Sequence, residues 1–157
     1  MEKTIILLRA CPGAGKSSLA EFVKNLTSHY GPNGTVICCA DDFFTDENGN
    51  YNFDSNKLYS AHIKCQEKFK DAVSLLNRET LVIIVANTNT REKDINLYKK
   101  FVEEAKEDWP YMNKKPNTTY KTFVLVVENW HNGKDVHNVP KETIENMKIQ
   151  LRQSIKL

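Results

Sequence analysis

The stretch Ala10-Cys11-Pro12-Gly13-Ala14-Gly15-Lys16-Ser17-Ser18 follows directly on the apolar run Thr4-Ile5-Ile6-Leu7-Leu8. A glycine-rich turn that leaves a buried strand, ends in Lys-Ser and opens a helix is a phosphate cradle. Its backbone N–H groups turn inward, and the positive end of the following helix adds to their pull on an anion. Pro12, Gly13, Ala14, Gly15, Lys16, Ser17 and Ser18 are therefore the candidate nucleotide-binding residues. Gly13 and Gly15 permit positive φ and close approach of the main chain to phosphates. Lys16 would reach the β- and γ-phosphates of a nucleoside triphosphate, and Ser17 would place its hydroxyl on Mg²⁺, which takes hard oxygen ligands. The full pattern has glycine where this chain has Ala10, which predicts a slightly altered loop entry. The plainer alternative is a glycine turn between a strand and a helix; the Lys-Ser pair speaks against it.

Three further segments could do chemistry with that cradle. Asp41-Asp42 follows the apolar run Val36–Ala40. A carboxylate at that strand end could accept a proton from a hydroxyl attacking a γ-phosphate, or could simply cap a turn before Phe43-Phe44. Asn87, Thr88, Asn89 and Arg91 follow a third apolar run. They could bind an acceptor's hydroxyl or phosphate, or Asn89 or Thr90 could cap the next helix. Glu128–Asn138 is polar, contains Gly133-Lys134, and precedes Pro140. It could close as a lid whose Lys134 stabilises the transferring phosphoryl group, or be a plain surface loop. His131 and His137 read as structural, because no nucleophile or metal partner accompanies them in the sequence.

The elements that must position these residues alternate. Continuous apolar runs predict buried parallel strands at about 4–9, 35–40, 80–86 and 120–127. Helical periodicity predicts helices at about 16–29, 55–77, 91–107 and 140–155. The apolar stripe of the second helix runs through Leu58, Ala61, Cys65, Phe69, Ala72, Val73 and Leu76. The order implies an α/β fold: a parallel sheet of four to five strands with helices on both faces. Ligands of such sheets bind beyond the carboxyl ends of the strands, where all four candidate segments fall. Two polar insertions, Thr45–Asn52 and Asp108–Thr119, interrupt the alternation.

At 157 residues, 40% hydrophobic and 27% charged, the chain reads as one domain, 1–157, with a single core. A formal charge of +2 leaves nucleic-acid binding to a local patch, for which Lys114 and Lys115 with Trp109 and Tyr111 are candidates. The four cysteines contain no Cys-x-x-Cys pair, so they read as reduced thiols with no structural zinc. No apolar run approaches membrane-spanning length, and a cytoplasmic location is the expectation.

Four ordered blocks then carry a resemblance: Ile5-Ile6-Leu7 through Cys11-Pro12-Gly13-Ala14-Gly15-Lys16-Ser17; Asp41-Asp42 before an aromatic; Asn87-Thr88-Asn89; and Gly133-Lys134 through Val139-Pro140, Ile144 and Met147. Over nearly its whole length the chain resembles the phage-type polynucleotide 5′-hydroxyl kinases and small P-loop kinase-like relatives. The resemblance implies a P-loop NTPase (kinase) fold, ATP and Mg²⁺ as cofactors, and transfer of the γ-phosphate to a DNA or RNA hydroxyl. It implies Asp41 as general base, Lys16 as phosphate ligand, and Lys134 in place of a lid arginine. The family often has arginine three residues after the base. Here Phe44 stands there, where it could stack on a base or belong to the core. The family's third-strand acid is absent. An acceptor hydroxyl on a modified DNA base or a small molecule, and an ATP-binding regulatory module with little turnover, are the competing readings.

Overall fold

The computed structural model describes residues 1–108, 117–128, 135 and 137–155. Among the described residues four strands alternate with four helices: β1 (Glu2–Arg9), α1 (Lys16–Leu26), β2 (Thr35–Cys38), α2 (Leu58–Val73), β3 (Val82–Val85), α3 (Glu92–Glu107), β4 (Thr119–Val126) and α4 (Lys141–Ser154). All strands are parallel, in the order β2-β3-β1-β4. The expected fold class is thus observed.

The two faces of the sheet follow from the period-2 alternation of its strands. Ile5, Leu7, Ile83 and Val85 face α2 and α3, whose Ala61, Cys65, Phe69, Tyr98, Phe101 and Val102 complete the larger core. Leu8, Ile84 and Ala86 face α1, which contributes Ala20. The α2 stripe is shorter than its sequence suggests, since Leu58 and Leu76 are exposed. Residues 55–57 form a 3₁₀ turn, capped by the Asp54 carboxylate accepting from Asn56 N at 2.9 Å. The helix ends at Val73, and side chains of β1 and β4 satisfy its last carbonyls. Lys3 Nζ donates to Ala72 O at 2.6 Å, and Tyr120 Oη donates to Val73 O at 2.8 Å. Lys3 is 0% exposed, and burial pulls its pKa down to about 8.

β2 stops at Cys38, two residues early. The chain then enters a 3₁₀ turn, Asp41–Phe44. The Thr45–Asn52 insertion folds back on that turn: Thr45 bridges antiparallel to Tyr51, and Asn52 N donates to Phe44 O at 2.8 Å. Asp46 Oδ1 accepts from the amides of Asn48 and Asn50, which orders the loop tip. The Trp109, Tyr111, Lys114 and Lys115 patch lies outside the described residues.

Candidate active site

The turn after β1 has the geometry a phosphate cradle needs. Gly13 and Gly15 sit at φ 79° and 93°, the left-handed region open to glycine. Gly15 caps α1, no side chain bonds to the cap, and the first turn holds no acid. Leu19 N donates to Gly15 O at 3.0 Å as the helix begins. The amides of Lys16, Ser17 and Ser18 precede it and are left for an incoming anion, at the positive end of the helix. Lys16 Nζ donates back to Cys11 O at 3.2 Å, which holds the ammonium over the loop. Burial lowers its pKa, opposed by the charge of Asp41. Ala10 is fully buried, and its amide donates to Thr88 O at 2.9 Å. Its φ is not positive, so the position makes no demand that only glycine meets.

A cavity of about 600 Å³ lies beyond the carboxyl ends of the strands. Pro12, Gly13, Gly15, Lys16, Ser17 and Ser18 line the side at the start of α1; Ala14 is buried. Asp41, Asn87 and Thr88 form the wall from β2 and β3. The structure therefore brings the cradle, Asp41 and the third-strand end into one space. Asn87 does so by pointing back into the protein. Its Oδ1 accepts from Ala40 N at 2.8 Å, while its Nδ2 donates to Tyr98 Oη at 3.1 Å and Cys65 Sγ at 3.3 Å. It pins Ala40, two residues past the end of β2 and one before Asp41.

Four candidates from the sequence stand elsewhere. The Asp42 carboxylate turns toward Lys68 Nζ at 3.7 Å; burial raises its pKa, and Lys68 opposes the rise. Phe44 is 6% exposed and packs in the core beneath the insertion, so it offers no face to an acceptor. Asn89, at φ 45°, donates through Nδ2 to Leu8 O at 2.8 Å and ties β3 to β1. Arg91 precedes α3 and is spent on Asp94 of its first turn: its amide donates to Asp94 Oδ2 at 3.2 Å and its guanidinium to the same carboxylate at 3.1 and 2.8 Å. Buried Arg9 adds to this scaffold by donating to Asn89 O and Thr90 O, both at 2.9 Å. Lys134 and His131 lie outside the described residues.

Sequence reasoning missed the groups around Asp41. His137 Nε2 stands 3.7 Å from Asp41 Oδ2, and the Tyr51 ring lies 4.3 Å from the His137 ring, centroid to centroid. Burial, together with the charge of Asp41 and a hydrogen bond to it, pushes the Tyr51 hydroxyl up to about 12. Asp135 holds the segment that presents His137 by accepting from His137 N at 3.1 Å and from Val139 N. Phe53, Leu58, His62 and Met147 complete the cavity. The local signal available was Asp135 two residues before His137, an Asx-turn spacing. No local pattern announces that the histidine meets an acid 96 residues away.

No protein-family model matches the chain. Human NEDD4-binding protein 2 is 29% identical over 143 residues, which is 91% of this chain and 7% of that protein. The chain thus spans a small fraction of that relative's length. Among solved structures, one chain of a Pnkp1/Rnl/Hen1 RNA repair complex superposes with a TM-score of 0.54 at 22% identity, over 97% of this chain and 45% of that one. Chaetomium thermophilum Kti12, solved with ADP-AlF3, superposes with a TM-score of 0.52 at 12% identity, over 93% and 79%. The fold is that of the P-loop kinases. At these identities the likeness is one of fold, and the chemistry rests on the side chains just described.

Proposed function

We propose that this protein is an ATP-dependent kinase that transfers the γ-phosphoryl group to a hydroxyl of nucleic acid, with a 5′-hydroxyl end as the acceptor. One observation carries the reading: the cradle at Gly13–Ser18 and the carboxylate of Asp41 open into the same cavity. The backbone amides and Lys16 hold the triphosphate. Asp41 takes the proton from the acceptor hydroxyl as that oxygen bonds to the γ-phosphorus. The bond to the β,γ-bridging oxygen breaks, and its electron pair leaves with ADP. Positioning and charge supply most of the acceleration in such a step. His137 and Tyr51, which line the same cavity, hold the carboxylate in place. Lys134 is assigned to charge stabilisation over the γ-phosphate.

The oxygen donors facing the cavity, Ser17, Thr88 and Asp41, suit Mg²⁺, which binds few protein oxygens and keeps its waters. Ser17 would hold the ion, and bound there it would neutralise phosphate charge. The stretch of human NEDD4-binding protein 2 that aligns with 91% of this chain supports reading these residues as one unit. The RNA repair complex and the ADP-AlF3 complex of Kti12 support the ligand class.

The test is a panel of labelled-ATP transfers to 5′-hydroxyl DNA and RNA oligonucleotides, hydroxymethylated DNA, and free nucleosides. The expected result is label on oligonucleotide 5′ ends. Label on the hydroxymethyl group or on nucleosides alone would replace the acceptor. ATP binding with no transfer to any of them would leave a regulatory module.

A further inference from the structure

The cavity has an apolar side that the triphosphate chemistry does not use. It is built by the segment that starts at the Asp41–Phe44 turn and folds back on it. Phe53 is 54% exposed and Leu58 38% exposed, and both line the cavity that contains Asp41. The Phe53 ring is held from below by buried Phe44, with centroids 5.1 Å apart and planes at 58°. Phe44 also meets Tyr51, edge-on at 6.1 Å. Phe44 is therefore the anchor that sets two aromatic rings in the wall of the cavity that Asp41 also lines, and Phe53 is the one that keeps an open surface.

We propose that Phe53, supported by Phe44 and lining the cavity together with Leu58, is a stacking wall for the unpaired terminal base of the acceptor strand. The inference rests on the assignment of Asp41 to the acceptor side of the cavity and deepens it. A sugar or polyol acceptor needs a wall of hydrogen-bonding groups, whereas an aromatic ring beside an aliphatic side chain offers a flat apolar surface. Every nucleobase has a π-face that such a surface accepts, so the wall tolerates any base and needs it unpaired. The same side of the cavity carries His62, four residues after Leu58 and so on the same face of α2. It can donate to a base edge without choosing among bases. Wild-type enzyme is therefore expected to discriminate between the presence and absence of a terminal base, and hardly at all among the four bases.

The experiment compares single-stranded 5′-hydroxyl oligonucleotides that differ only at the first nucleotide, which carries thymine, adenine or no base. kcat/KM is measured for the wild type, Phe53→Ala and Phe53→Tyr. The wild type should favour the base-bearing ends by about tenfold, at the low end of what one base–aromatic stack contributes. Phe53→Ala should bring that ratio within about twofold while KM for ATP stays unchanged, and Phe53→Tyr should preserve it. Equal use of abasic ends by the wild type, or an undiminished ratio in Phe53→Ala, overturns the wall and leaves the kinase assignment standing. Transfer to none of the oligonucleotides overturns both.

Discussion

Replacing Asn87 with alanine tests how the site is positioned. The substitution removes Oδ1, which accepts from Ala40 N at 2.8 Å, and Nδ2, which donates to Tyr98 Oη at 3.1 Å. Both partners are buried. An orphaned buried amide costs about 1–3 kcal/mol. Tyr98 Oη keeps Cys65 Sγ at 3.7 Å as a weak partner, so its loss adds less. The sum is roughly 2–4 kcal/mol, within the stability of about 5–15 kcal/mol usual for a domain, so the variant still folds. Urea unfolding should show a lower midpoint at unchanged slope. Ala40 directly precedes Asp41, so the loosened β2 end should also lower kcat by about tenfold or more, since misplacement on the order of 1 Å can cost a hundredfold. KM for ATP should hold, because the cradle hangs from β1 and α1. Tyr98→Phe is the control: it spares the Ala40 bond and should lose about 1 kcal/mol with kcat close to wild type. If Asn87→Ala unfolds within about 0.5 kcal/mol of wild type at unaltered kcat, the pin does not exist.

Three other outcomes are expected. Lys16→Ala should weaken nucleotide binding and transfer together, measured by calorimetric titration and labelled transfer; unchanged affinity would remove Lys16 from the cradle. His137→Ala should lower kcat several-fold with KM for ATP unaltered, and His137→Asn should restore part of it by keeping a donor toward Asp41; equal activity of all three proteins would make His137 a bystander. The third outcome concerns pH. The Lys3 pKa is about 8 in the fold and 10.5 when free, so the unfolded chain binds more protons between those values, and the contribution of Lys3 to stability improves as pH rises through that window. Measured against Lys3→Met, wild-type stability should gain about 2 kcal/mol between pH 7.5 and 9.5. A flat difference would mean that burial does not depress the Lys3 pKa and that the amine stays charged in the fold across this window.

The shape of the turn at 10–18 was legible because it is local: Gly13 and Gly15 hold the positive φ that their residue type permits. The alternation of elements was legible for a similar reason, since runs such as Ile83-Ile84-Val85 are buried on both sides in the interior of a parallel sheet. What could not be read was direction. Asn87 has the right type for ligand binding, yet both ends of its amide are used inside the protein, because the early turn after Cys38 leaves the Ala40 amide in want of an acceptor. Phe44 stands where the resemblance placed a substrate contact, and the fold-back of 45–52 buries it. That same fold-back exposes Phe53. The pairing of His137 with Asp41 depends on the segment before α4 reaching the turn after β2, which no short window of sequence contains.

The central claim is that Asp41 faces the acceptor while the main chain of Gly13–Ser18 holds the triphosphate. The most direct test is Asp41→Asn, with ATP affinity and 5′-hydroxyl transfer measured on the same preparation. The account predicts affinity within about threefold of wild type and transfer reduced by about a hundredfold or more, the scale of a lost general base. Transfer at the wild-type rate by that variant would contradict it.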